Sequence, residues 1–266
     1  MLRLFFDGLS FSSLWIGLAA ALLCWAASLS LGLTPVATAI VVAMSGTIAV
    51  YNLDRLLDLD RDHLTTPLRS EFVSTHSSGL WALTLLAAGG SLALAVSLGW
   101  RPILVLAPAL LLGLAHRHLK RLVYAKAGYV SAAWLAVVIG LPALSQPDSP
   151  SPWWASPPLD ATRIAWVAAI LGCGLFANAI ASNLRYQQPT AGGPRRRSAL
   201  WIARGVAFGG ILVGAIAPAG VRILSCVPLA TLAVLLPFRP SERYGLIVVD
   251  GALVVGASLS LLAATY

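Results

Sequence analysis

Acidic residues are scarce in this chain and unevenly placed: Asp54, Asp58, Asp60 and Asp62 are four of only ten. Asp54, Asp58 and Asp62 follow one another at i, i+4 and i+8. On a continuous helix each step of four turns the side chain by only about 40°, so the three carboxylates share one face. Asp60 lies off that face. Like charges at this spacing repel. A bound cation relieves the repulsion, and a hard one with oxygen ligands suits carboxylates.

The elements that must position these residues are apolar. Hydrophobic residues make up 58% of the chain and charged residues 11%, so most of it cannot be solvated surface. Several continuous apolar runs approach the roughly 20 residues that span a bilayer as a helix. They do not alternate, which favours helices over a barrel. The net charge of +8 would suggest nucleic acid in a soluble protein. Here the cations lie between apolar runs, so they report membrane topology and no nucleic-acid partner is expected. Cys24, Cys173 and Cys226 sit in separate apolar runs without metal-ligand spacing and read as small core residues.

The pattern predicts an all-α, polytopic membrane protein with a single domain over residues 1–266. Nine helices are expected, at about 11–33, 35–56, 78–99, 102–117, 124–144, 160–186, 198–217, 221–237 and 243–265. The first is read as a retained membrane helix rather than a cleaved signal. Trp153 and Trp154, in a Pro/Ser-rich loop, read as interfacial anchors. If all nine segments cross, 14 of the 18 cations fall on the side of the N-terminus and 3 on the other, with Arg204 inside the seventh helix. The positive-inside rule then puts the N-terminus and the aspartate loop in the cytoplasm of a bacterial-type inner membrane.

An acidic helix end facing a cytoplasmic loop suits a metal–diphosphate site. Magnesium takes one or two carboxylates plus phosphate oxygens and keeps several waters. Asp54 and Asp58, one turn apart, are placed to share such an ion, and Asp62 extends the face. Arg55, Arg61 and Arg69 either pair with the aspartates or contact phosphate. Tyr51, one turn before Asp54, either faces the site or anchors the helix end. Asn178 either faces a cavity or bonds between helices. Asp250 is an intramembrane acid, which by default suggests function. It either lines an acceptor cavity or pairs with Arg204 or a hydroxyl.

With these residues in view, the chain resembles the UbiA-type integral membrane prenyltransferases. Members of that family are similar nine-helix bundles with aspartate-rich loops after helices two and six. Asp54 and Asp58 match the last two aspartates of the first family motif, whereas Val50 and Tyr51 stand where its opening Asn and Asp would be. Lys120-Arg121 resembles the Lys-Arg pair that the family carries before helix five. The second motif departs: Asn183-Leu184-Arg185-Tyr186-Gln187-Gln188-Pro189-Thr190 contains no acid, and Asn183 stands at the first aspartate position.

The resemblance implies transfer of a prenyl group from an isoprenoid diphosphate to an aromatic or other lipophilic acceptor. Asp54 and Asp58 would be the catalytic pair, holding Mg2+ with Asp62. Arg69, Lys120, Arg121 and Arg185 would meet the diphosphate, with Arg195–Arg197 also near enough in sequence to contribute. Tyr51, Asn178 and Asn183 would line the cavity. Beyond membrane lipid and these substrates, no protein partner is expected. The missing second acidic loop keeps a non-catalytic binding or scaffold role open. A polar midplane set of Asp250, Asn178 and Arg204 keeps a small-solute transporter open.

Overall fold

The computed structural model describes residues 2–59, 66–119, 123–146, 160–184 and 194–265. The described residues form helices and connections, with no strand among them. Six helices come from the first half: α1 Leu2–Phe11, α2 Leu14–Ser30, α3 Ala37–Leu57, α4 Pro67–Thr75, α5 Ser77–Ser97 and α6 Ile103–Leu119. Five follow: α7 Tyr124–Leu144, α8 Ala161–Leu184, α9 Pro194–Ile216, α10 Ala219–Leu235 and α11 Tyr244–Ala263. Each of the nine expected apolar segments falls on one of these helices.

Proline and glycine set several of the boundaries. Pro67 opens α4 and Pro194 opens α9, where a missing N–H costs nothing. Gly99, at φ +93°, makes the turn between α5 and α6 that a side chain would strain.

Six helices, α3, α5, α7, α8, α9 and α11, are long and apolar enough to cross a bilayer, and the bent α1–α2 pair makes a seventh if it counts as one span. This is the signature of an integral membrane protein. The apolar stretch Ile103–Leu112 of α6 and the whole of α10 are shorter. Among the described residues, length and composition alone thus mark six or seven of the nine expected segments as long enough to cross.

The expected first helix is α2, and a further helix, α1, precedes it. Ser13 adopts a left-handed φ of 62°, and α1 meets α2 at 71°. The break is held from α3. The Ser13 hydroxyl donates to Asn52 Oδ1 at 2.6 Å. Arg55 Nη1 donates to the carbonyls of Ser10 and Phe11 at 2.9 and 2.8 Å, satisfying acceptors that the end of α1 leaves unpaired. At its other face, α1 is tied to the start of α11 by a two-pronged ion pair. Arg243 Nε and Nη2 each donate to Asp7 at 3.1 Å.

Burial separates the bundle's centre from its lipid face. In the apolar windows of α8 and α11, 56% of residues are buried, against 22% in α5. The outward residues of α5, including Leu85, Leu86 and Leu92, are large and apolar, as a lipid-facing surface requires. Inside, α2, α7, α8, α10 and α11 meet around Leu23, Ile170, Leu171, Val227 and Leu253. A second cluster joins α8 to α9 through Ala177, Ala181, Ala199, Ala203 and Ala207, small residues that let helix axes approach.

The tightest approach of a glycine to another helix's backbone is α11 on α10. A Cβ on Gly256 would stand 2.6 Å from Val227 Cα and 2.8 Å from the Cys226 carbonyl oxygen. Both are backbone atoms and cannot swing away. We expect Gly256→Ala to cost about 1–3 kcal/mol, read as a lower midpoint of thermal unfolding in detergent.

Candidate functional site

The site forms where α3 and α8 end and where α7 and α11 begin. A cavity of about 170 Å³ is lined there by residues of α3, α4, α7, α8 and α11. Tyr51, Asp54 and Arg55 come from α3, and Arg69 from α4. Lys126, Ser131 and Trp134 come from α7, Asn178, Ser182 and Asn183 from α8, and Asp250 from α11. Seven residues singled out in the sequence therefore share one cavity: Tyr51, Asp54, Arg55, Arg69, Asn178, Asn183 and Asp250.

The aspartate face is shorter than the spacing implies. The α3 helix ends at Leu57, and Asp58 is its C-cap at φ −104°, ψ 13°. Helical register is thus lost before Asp62 is reached. Asp54 faces the cavity, while Asp58 is buried and is not among the lining residues. Asp62, Lys120, Arg121 and Arg185 lie outside the described residues.

Arg69 is carried by a helix that reads as loop in the sequence. Pro67 occupies the first turn of α4, and the N-cap Thr66 makes no side-chain capping bond to the helix backbone. The cap comes from far away in the chain. Glu242 accepts from the backbone N–H groups of Leu68 and Arg69 at 3.2 and 2.8 Å. A carboxylate at a helix N-terminus satisfies unpaired donors and complements the helix dipole. The buried guanidinium of Arg69 donates through Nη2 to Thr66 Oγ1 at 3.2 Å and also lines the cavity.

The α8–α11 wall is fixed by two hydrogen bonds. Asn178 Nδ2 donates to the Val249 carbonyl at 2.7 Å, and Ser182 Oγ donates to Asp250 Oδ1 at 3.0 Å. The sequence leaves Asp250 a choice between Arg204 and a hydroxyl, and the structure selects the hydroxyl. Arg204 instead donates to the carbonyls of Leu235 and Leu236 at the end of α10 and stacks over Trp201. That separation breaks up the polar set on which a transporter reading rests. The first turns of α11, Tyr244–Val249, are π-helical, and Asp250 is where α-helical geometry resumes. The wider turn resets which face the following residues present.

A second chamber lies beside the first. It has about 380 Å³ and lies between α3, α5, α6 and α7, lined by residues such as Val42, Gly46, Ala88, Leu106, Leu110 and Ala133. Val50, Tyr51, Val130 and Trp134 line both spaces. At this junction Trp134 Nε1 donates to the Tyr51 hydroxyl at 3.1 Å. Tyr51 thus marks the border between a charged compartment and an apolar one.

Lys126 and Ser182 are cavity residues that the sequence did not single out for the site. A signal for Ser182 exists: it lies at i+4 from Asn178 and so shares its helix face. Lys126 looks like any basic residue at a helix start. Compared with protein-family models, curated proteins and solved structures, the chain matches none of them.

Proposed function

We propose that this is a membrane-embedded prenyltransferase of the UbiA type. It would transfer a prenyl group from an isoprenoid diphosphate to a lipophilic acceptor. The observation carrying this reading is the pairing of the two spaces. A charged cavity that shares four lining residues with a larger apolar chamber suits an amphiphile with an anionic head and a long hydrocarbon tail. Arg55, Arg69 and Lys126 give the head compartment its cations, and guanidinium groups match phosphate oxygens.

The donor set suits one magnesium ion rather than an independently built metal cluster. Among the described residues no group of three His, Cys, Asp or Glu is placed to hold a metal. Asp54 alone, from the aspartate motif, lines the cavity among the described residues. Magnesium needs only one or two carboxylates when phosphate oxygens and water complete its shell. Bound there, it would stabilise negative charge on the departing diphosphate. Arg69 and Lys126 hold and orient the head, and the Tyr51–Trp134 pair directs the tail toward the apolar chamber.

In this reading nine segments cross the membrane, with α6 and α10 as short crossings. The N-terminus and the cavity mouth then face the cytoplasm, on the arginine-rich side. The test is binding by the purified full-length chain in nanodiscs. Geranylgeranyl diphosphate should bind with magnesium and be released by chelator, and inorganic diphosphate should bind at least about tenfold more weakly, because the tail contributes apolar burial. Ala88→Trp, which fills the chamber, should weaken geranylgeranyl diphosphate but not inorganic diphosphate. Equal affinity for the two ligands in the parent protein would refute the two-compartment reading. Magnesium-dependent binding without turnover toward any acceptor would favour the non-catalytic alternative, in which the acid-free loop after α8 has ended the chemistry.

A further inference from the structure

We propose that the outer face of α9 binds the headgroup of an anionic phospholipid, with Arg197 and Arg204 as its cationic contacts and Trp201 between them. The proposal concerns the exterior of the bundle and does not depend on the prenyltransferase reading. It starts from an arginine in an apolar place. Arg204 lies within the segment Arg197–Ile216, which is long and apolar enough to cross a bilayer. It stands two helical turns, about 10 Å, past Arg197. A guanidinium inside a membrane segment is costly unless its charge is met.

The fold meets that charge only in part. Arg204 Nε and Nη2 donate to the Leu235 carbonyl at 3.1 and 3.0 Å, and Nη2 also donates to the Leu236 carbonyl at 3.0 Å. These carbonyls close α10 and supply the partial negative charge of a helix C-terminus. No carboxylate pairs with Arg204 among the described residues, and its Nη1, at the opposite corner of the fork, makes no hydrogen bond there. A full counter-charge is still wanted.

The surface around Arg204 suits a lipid. Arg197, Trp201 and Arg204 fall at i, i+4 and i+7, on one face of α9. Arg197 is exposed, and Trp201 is 69% exposed with the Arg204 guanidinium 5.3 Å from its ring centroid. Tryptophan and arginine at the end of an apolar helix are the composition of a membrane interface. Farther along the same face Phe208 and Leu212 are exposed. Between Trp201 and Phe208, Gly205 leaves a notch, where a Cβ would meet nothing within 4 Å. An acyl chain fits this apolar strip. The phosphate at its head fits the two guanidinium groups, and it brings the full negative charge that carbonyls lack. Lipid is what lies against an outward helix face in a membrane, and basic sites on such faces hold anionic headgroups.

The experiment is native mass spectrometry of the full chain in detergent, titrated with phosphatidylglycerol or with phosphatidylcholine of the same acyl chains. The parent protein should retain one phosphatidylglycerol about tenfold more tightly than phosphatidylcholine. Arg204→Gln should bring the ratio close to one. That change also removes a cap from α10, so Arg197→Gln, at a side chain with no hydrogen bond among the described residues, gives a second reading and should lower the preference about threefold. Gly205→Leu fills the notch and should weaken both lipids without lowering the midpoint of thermal unfolding. Asp54→Ala should keep the full preference. Equal retention of the two lipids by the parent protein would overturn the proposal, as would a preference unchanged in both arginine variants. Loss of the preference in Asp54→Ala would move the lipid to the cavity and overturn the surface site. Displacement of phosphatidylglycerol by an equal concentration of inorganic phosphate would assign the site to a soluble anion and overturn the choice of a lipid.

Discussion

Asp54→Ala is expected to weaken magnesium-dependent binding of geranylgeranyl diphosphate by about 100-fold, equivalent to roughly 2.7 kcal/mol. Among the described residues, Asp54 is the one member of the i, i+4, i+8 set that lines the cavity, and Arg55 and Arg69 line it as well. Without the carboxylate the cation loses its protein ligand, and the anionic head loses the charge that the cation brings. Binding measured in chelator should be the same for Asp54→Ala and the parent protein, because the arginines and the apolar chamber remain. Glu71→Ala, which removes an exposed acid from α4, should behave as the parent in both conditions. Isothermal titration with and without magnesium separates these outcomes. If Asp54→Ala retains the full magnesium effect, the cation is held elsewhere and the head-group assignment is wrong.

Arg55→Met is expected to be among the most destabilising single changes in the chain. Arg55 is 5% exposed and serves two structures at once: it lines the cavity and closes the end of α1. Methionine is of similar reach but donates nothing, so the Phe11 carbonyl loses the guanidinium and the Ser10 carbonyl keeps only the long bond from the Ser13 N–H at 3.4 Å. Losing two charge-assisted hydrogen bonds and leaving their acceptors buried costs about 3–5 kcal/mol. The loss should be local as well as global. Amide exchange in residues 2–13 should rise more than in α8, whose core contacts do not involve Arg55. Asn52→Ala removes the acceptor for Ser13 from the same break. The double variant should cost less than the two single changes added together, because once the elbow has opened the second change has less to lose. Lysine at position 55 should recover part of the loss, since one nitrogen, Nη1, serves both carbonyls and an ammonium carries donors enough for two.

These two neighbours on α3 show where sequence reading works and where it stops. That Asp54 belongs to a site is legible from the repeated acidic spacing in a chain so poor in charge. That Arg55 belongs to the α1 elbow is not legible. Its partners are backbone carbonyls 44 and 45 residues away, and carbonyls carry no sequence identity. Asp250 lies between the two cases. An acid inside an apolar run announces itself, yet whether it meets Arg204 or Ser182 depends on the rotation of α11. The π-helical turns ahead of Asp250 shift that rotation, and periodicity assumes a uniform 3.6 residues per turn. The α4 helix escaped for a related reason: its cap is Glu242, supplied from another part of the chain.

The amino-acid sequence by itself determined the all-helical membrane architecture and the positions of the nine apolar segments, and it singled out Asp54, Tyr51 and Asn178 as candidates. Hydropathy and local spacing are properties of one segment at a time, so each could be read before any packing was known. Only the tertiary structure decided that Asp54, Arg69, Lys126, Ser182 and Asp250 meet around one cavity, and that an apolar chamber borders it at Tyr51 and Trp134. It also decided that the first apolar segment follows a sharp elbow. Each of these depends on how helices are rotated and bent against one another. The interlocking of side chains such as Arg55 with the α1 carbonyls sets that arrangement across distances the local pattern does not encode.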